Sequence, residues 1–136
     1  MKRSKMEKNI QSVLKMEKLV FDKINFQRIG FESAEELKIE ITSKVSQHQD
    51  ADVYRVELEL KGTKPKEYAL EINLLGIFTF DSEKSLEEEK KNDLIRKNTI
   101  AIMMPYLRSE VSLLTAQPGM KCVVLPPFNI NKMTKE

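Results

Sequence analysis

The chain has 136 residues, 40% hydrophobic and 32% charged, with four glycines and five prolines. That describes one domain able to bury a core, and it excludes a disordered or collagen-like chain. With 23 basic and 21 acidic side chains the formal charge is +2, too balanced to make nucleic acid the main partner.

The first residues carry Lys2, Arg3, Lys5 and Lys8, but no apolar stretch with a small-residue cleavage site follows, so no secretory leader is read here. Residues 1–18 form an N-terminal extension. Within it Met6, Ile10, Val13 and Leu14 are spaced for a short amphipathic helix over 5–18. Residues 19–136 read as a single domain. From Leu19 to Phe31 the pattern is extended, but its apolar phase slips twice, between Phe21 and Ile24 and between Phe26 and Ile29. A β-bulge or a bend corrects such slips.

Three cleaner period-two runs come next. Leu37, Ile39, Ile41 and Val45 alternate with polar residues, and Ser46 to Ala51 form a polar loop. Tyr54, Val56, Leu58 and Leu60 make the second run. The segment from Lys61 to Lys66, with Gly62 and Pro65, reads as a hairpin connection. Tyr68, Leu70, Ile72, Leu74, Phe78 and Phe80 make the third run. Runs joined by short loops argue an antiparallel meander with one face that needs a cover.

The cover comes from the second half. Ser85-Leu86-Glu87-Glu88 matches a capping box, and Asn92-Asp93 suggests a break. From Leu94 to Gln117 the spacing of Ile95, Ile102, Met103, Tyr106, Leu107, Val111 and Leu114 is helical. Pro105 should kink this helix or start a new one, and Pro118-Gly119 should end it. Between Ile100 and Leu107 the helix is apolar almost all round, where a surface helix needs one stripe. A second copy of the chain is the natural second partner, with Ile102, Met103 and Tyr106 at the interface. The tail from Cys122 to Ile130, with Pro126-Pro127, should be extended. One feature departs from a one-sided sheet: Leu75 and Ile77 sit on the face expected to be wet, so Leu74 to Phe78 is apolar on both sides.

The chemical inventory is thin. His48 lies in a polar loop. Cys122 lies in an apolar run with no base beside it. A single Cys excludes a disulfide framework or a Cys-rich zinc site, and a reducing cytoplasm is the expected location. No phosphate loop, dinucleotide fingerprint or H-E-x-x-H motif is present. No cofactor or metal is expected, and no apolar run approaches the ~18–20 residues that span a bilayer.

Four segments, in order, resemble the SecB protein-export chaperones. Gly76-Ile77-Phe78 resembles that family's Gly-Ile-Phe. Ile102-Met103-Met104-Pro105-Tyr106-Leu107-Arg108 resembles its hydrophobic–Pro-Tyr-x-Arg helix. Leu125-Pro126-Pro127-Phe128-Asn129-Ile130 resembles its tail, and Asp50 to Val56 its second hairpin strand. The resemblance covers residues 19–130. It implies an α+β fold in which a four-stranded antiparallel sheet is covered on one face by a long helix and a C-terminal segment. It also implies a dimer of dimers and ATP-independent holding of unfolded or precursor polypeptides.

Such a holdase needs apolar grooves and accessible backbone edges. The candidate groove residues are Leu75, Ile77, Phe78 and Phe80 on the strand, with Val123, Leu125 and Phe128 on the tail. Two departures stand out. The loop Phe31 to Leu37 is short and lacks a Trp. Of the positions that correspond to the family's acidic contact with the Sec translocase motor, Lys23 and Gln27 are not acidic and only Glu71 matches. A dedicated-partner role, such as guarding an antitoxin, therefore stays open beside export. An enzyme on a helix-wrapped sheet is a third class. Its only mid-helix acid would be Glu110, which has no His or Asn partner nearby.

Overall fold

The computed structural model describes residues 14–48, 52–80 and 88–127. Four strands, β1 (Leu14–Arg28), β2 (Lys38–Gln47), β3 (Val53–Lys64) and β4 (Tyr68–Phe80), precede one helix, α1 (Glu88–Thr115). The strands form one antiparallel sheet in the order β1-β4-β3-β2. The meander read from the period-two runs is therefore β2-β3-β4. β1 crosses over to pair with β4, which makes a Greek key.

Several local expectations are corrected. Leu14–Lys18 belong to β1, so the helix expected over 5–18 does not form at its C-terminal end; residues 5–13 lie outside the described residues. Pairing with β4 decides this, since Leu14 sits opposite Phe80 and Met16 opposite Phe78. Of the two phase slips, the one after Phe21 is a register shift between Phe21 and Lys23. The other is simply the end of the strand at Arg28, while a further shift falls between Met16 and Lys18. β3 runs through Gly62 to Lys64, and the turn is confined to residues 65–67, where Lys66 takes φ 69°.

The helix is continuous through Asn92-Asp93 and through Pro105. Pro105 and Ala101, whose carbonyl loses its partner N–H, are both exposed, so water can serve that carbonyl and no new helix is needed. Residues 85–87 of the capping box lie outside the described residues. Gln117 to Met120 form a turn in which the Met120 N–H donates to the Gln117 carbonyl at 3.1 Å and Gly119 takes φ 79°. That is a type II turn with Pro at its second position and Gly at its third. It reverses the chain, and residues 121–127 run back along the helix without regular structure.

The core lies between one face of the sheet and α1. Val56, Leu58, Leu60, Tyr68, Leu70, Ile72, Leu74 and Phe78 meet Ile100, Met103, Leu107 and Val111, with Leu125 of the tail buried among them. The helix row Ile95, Thr99, Met103, Leu107, Val111 and Thr115 repeats every four residues and is wholly buried. Its two threonines satisfy their hydroxyls by donating to the carbonyls of Ile95 (2.7 Å) and Val111 (2.8 Å). α1 lies over the central pair β3 and β4. It reaches so close to β4 that a Cβ on Gly76 would stand 2.9 Å from Met103 Sδ.

Candidate functional site

The surface outside this core decides what the chain can do. Among the described residues, apolar side chains remain accessible in several places. On the helix-facing side, β1 and β2 extend past the helix, leaving Phe21 and Phe26 on one flank and Ile39, Ile41 and Val45 on the other only partly buried. Along the outer face of α1, Ile102, Tyr106 and Leu113 are exposed in a helical row. On the open face of the sheet, Leu75 and Ile77 are half-buried, with exposed Val20 opposite Leu75. At the end of the sheet, the β1–β2 crossover presents Ile29 and Phe31, the latter 85% exposed.

That crossover is held rather than loose. The Ile29 and Gly30 N–H groups donate to the Glu67 carbonyl at 2.8 and 3.0 Å, and the Ser33 N–H donates to Glu67 Oε1 at 3.1 Å. Glu67 is buried and paired with Lys64 Nζ at 2.9 Å. The Lys64 hydrogen bond, opposed in part by burial, holds its carboxyl below the ordinary value of 4.5. At the opposite end Lys91 ties the helix to the sheet. Its Nζ lies 2.7 Å from Asp52 Oδ1 and 5.4 Å from the Phe80 ring centre. The Asp52 hydrogen bond raises its pKa above 10.5.

The predicted groove residues separate. Leu75 and Ile77 face the open side. Phe78 and Phe80 point the other way and are buried beneath the helix. Val123 and Leu125 lie against the helix, half-buried and buried; Phe128 lies outside the described residues. Of the predicted interface residues, Ile102 and Tyr106 are on the outer face of α1, whereas Met103 is core. Glu71 faces the open side and is paired with Lys23 Nζ at 3.1 Å. Its neighbours Arg55–Glu57 (2.9 Å) and Lys61–Glu59 (3.2 Å) are also paired, so this face carries interleaved charges rather than an acidic field.

Glu110 is half-buried on α1, while the single His48 lies in the β2–β3 connection, where its backbone N–H donates to the Val53 carbonyl at 2.9 Å. No cluster of His, Cys, Asp and Glu suited to a metal occurs among the described residues. No helix there is long and apolar enough to cross a membrane. Sequence reasoning missed the side chains that clip the tail to the helix: Arg108, Ser112 and Thr115. Their spacing of i, i+4 and i+7 puts polar groups on one helix flank and was there to be read.

Comparison with known proteins agrees with this architecture. The family model for SecB, described as preprotein translocase subunit SecB, matches residues 5–136. Among curated proteins none matches this chain. A solved structure of the Mycobacterium tuberculosis Rv1957 SecB-like chaperone, in complex with a ChAD peptide from the Rv1956 HigA1 antitoxin, is similar with a TM-score of 0.71. The identity is 10%, over 93% of this chain and 95% of that one. A Streptococcus agalactiae protein of unknown function is similar at a TM-score of 0.51 and 12% identity, over 83% of this chain and 96% of that one. At these identities the two structures show a shared fold.

Proposed function

This chain belongs to the SecB family of chaperones, and from that premise we propose that it is an ATP-independent holdase for unfolded polypeptides. The carrying observation is family membership over nearly the whole chain, together with apolar surface left after the monomer has packed. Extended clients would lie over the half-covered flanks of the sheet beside α1, with Leu75, Ile77 and Val20 offering a second contact on the open face. Many small apolar contacts suit a binder that must accept many sequences. By binding the unfolded state and not the folded one, the chain delays folding through mass action without a nucleotide.

The row Ile102, Tyr106 and Leu113 is the proposed contact between copies of the chain, as a dimer or tetramer. It is apolar and crosses the outer face of a helix whose inner face is already used. Light scattering should give a multiple of the 15.8 kDa chain mass at micromolar concentration; a monomer would remove this part.

Charge favours clients over the Sec motor. Glu71, the one match to the family's acidic contact, is already paired with Lys23, so docking to a basic motor segment loses attraction. A second reading, one dedicated partner such as an antitoxin, draws support from the fold shared with a chaperone that holds an antitoxin peptide. Mass spectrometry of captured proteins separates the two: many unrelated unfolded chains favour the general holdase, one stoichiometric partner the second. Either role would operate in the cytoplasm.

A further inference from the structure

One flank of α1 reads backbone. Arg108, Ser112 and Thr115 stand along it, and all three bind the main chain of the tail. The Val123 N–H donates to Thr115 Oγ1 at 2.8 Å, and Ser112 Oγ donates to the Val123 carbonyl at 2.8 Å. Arg108 donates to the Leu125 carbonyl from Nε (3.1 Å) and Nη2 (2.8 Å). None of these four bonds touches a tail side chain. The tail itself alternates as a strand does: Val123 is half-buried, Val124 is 78% exposed, Leu125 is 6% exposed. Pro126 and Pro127 follow, with no N–H of their own, and hold Leu125 extended. Beside the tail an open cleft of about 240 Å3 runs between Pro105, Ser109 and Val124.

We propose that this flank is a binding site for extended client segments with an apolar–any–apolar pattern, and that residues 123–125 are its resting occupant. The tail leaves as the client enters. This rests on the chaperone reading and deepens it. Val123 and Leu125, expected to line a groove, are on this view what fills one.

The chemistry follows from what is read. Donors and acceptors aimed at main-chain groups accept any sequence, and the alternating apolar side chains supply the affinity. When the tail departs, the Arg108 guanidinium loses its acceptor, and a new main-chain carbonyl restores it. The resting tail keeps the apolar slot out of water. It also lowers the apparent client affinity by the fraction of time the slot is closed.

The test uses the full chain and a permanently unfolded probe without thiols, fluorescent reduced and carboxymethylated α-lactalbumin. Cys122 Sγ lies 3.6 Å from the Ser112 carbonyl oxygen, so Ser112→Cys places a second thiol within reach for a disulfide that locks the tail in place. Oxidised, this variant should bind the probe at least tenfold more weakly than the same variant reduced. Leu125→Ser, which weakens the occupant and leaves the helix row intact, should bind it severalfold more tightly than the parent. Should the thiols not pair, Leu125→Ser decides alone; should Leu125→Ser unfold, the lock decides. Equal binding by the oxidised and reduced forms, or no gain from a folded Leu125→Ser, overturns the proposal and leaves the chaperone reading standing. A parent chain that binds no probe removes both.

Discussion

The two faces of β4 carry similar side chains to different ends. Leu74 and Phe78 point to the helix and are sealed; Leu75 and Ile77, each one residue away, point to the open side and stay half-exposed. Apolarity alone does not make a core. A strand contributes its residues to the core only on the face where another element lands, and here α1 lands on one face. What the other face keeps is surface available for a partner.

The largest expected effect separates these neighbours directly. Phe78→Ala should cost about 3–5 kcal/mol in urea unfolding, as buried aromatic truncations do. Ile77→Ser should stay within about 1 kcal/mol of the parent and weaken client holding. If Ile77→Ser unfolds the chain as Phe78→Ala does, the two faces are not different in kind.

Packing on the covered face can be tested next. Gly76→Ala would bring a Cβ to 2.8 Å from Phe78 Cε1 and 2.9 Å from Met103 Sδ. A loss of about 1–3 kcal/mol is expected, because a filled core resists an added methyl. A shift below the precision of denaturant unfolding would mean that the helix is not seated so closely on β4.

Much of this was legible before any coordinates. Strict alternation in β2, β3 and β4 located three strands, because a half-buried strand writes its face into every second residue. The helix was legible from Leu94 onward by its spacing, but its start at Glu88 and its continuity through Pro105 were not. Three further features stayed hidden. The pairing of β1 with β4 joins neighbours in the sheet that are the first and last strands in sequence, and residues 5–18 taken alone could equally suggest a helix. Ile77 and Phe78 read as lying on opposite faces of β4 yet both as groove residues, because how tightly α1 seals the covered face is not written in the strand. The same holds for the tail, whose apolar residues could line a groove or fill it, and only the backbone contacts with Arg108, Ser112 and Thr115 distinguish these.

Smaller effects come from the two ties at the ends of the sheet. Lys91→Met should cost about 1 kcal/mol, above the few tenths expected for the exposed Lys97–Asp93 pair. Because Lys91 is raised in the folded state, its contribution is complete below 10.5 and is lost as pH climbs through the raised value. Thermal melts of Lys91→Met should therefore lack part of the parent's alkaline decline.

Glu67 behaves in the opposite sense. Its folded value is depressed, so its contribution is complete above 4.5 and is lost as pH falls through the lower folded value. Glu67→Gln should be less stable than the parent near neutrality, where that contribution is complete, and should lack that part of the acid decline. An unchanged acid limb would mean that the crossover is not held by this carboxylate.

The measurement closest to the central claim is the light scattering of an aggregating, chemically unfolded client titrated with the full chain in the absence of nucleotide. Scattering should fall to baseline near stoichiometric amounts, and Ile77→Ser should shift the titration to higher concentration. Scattering that rises as fast with the chain as without it, at several-fold molar excess, would contradict the claim that the surface left outside the core grips unfolded polypeptides.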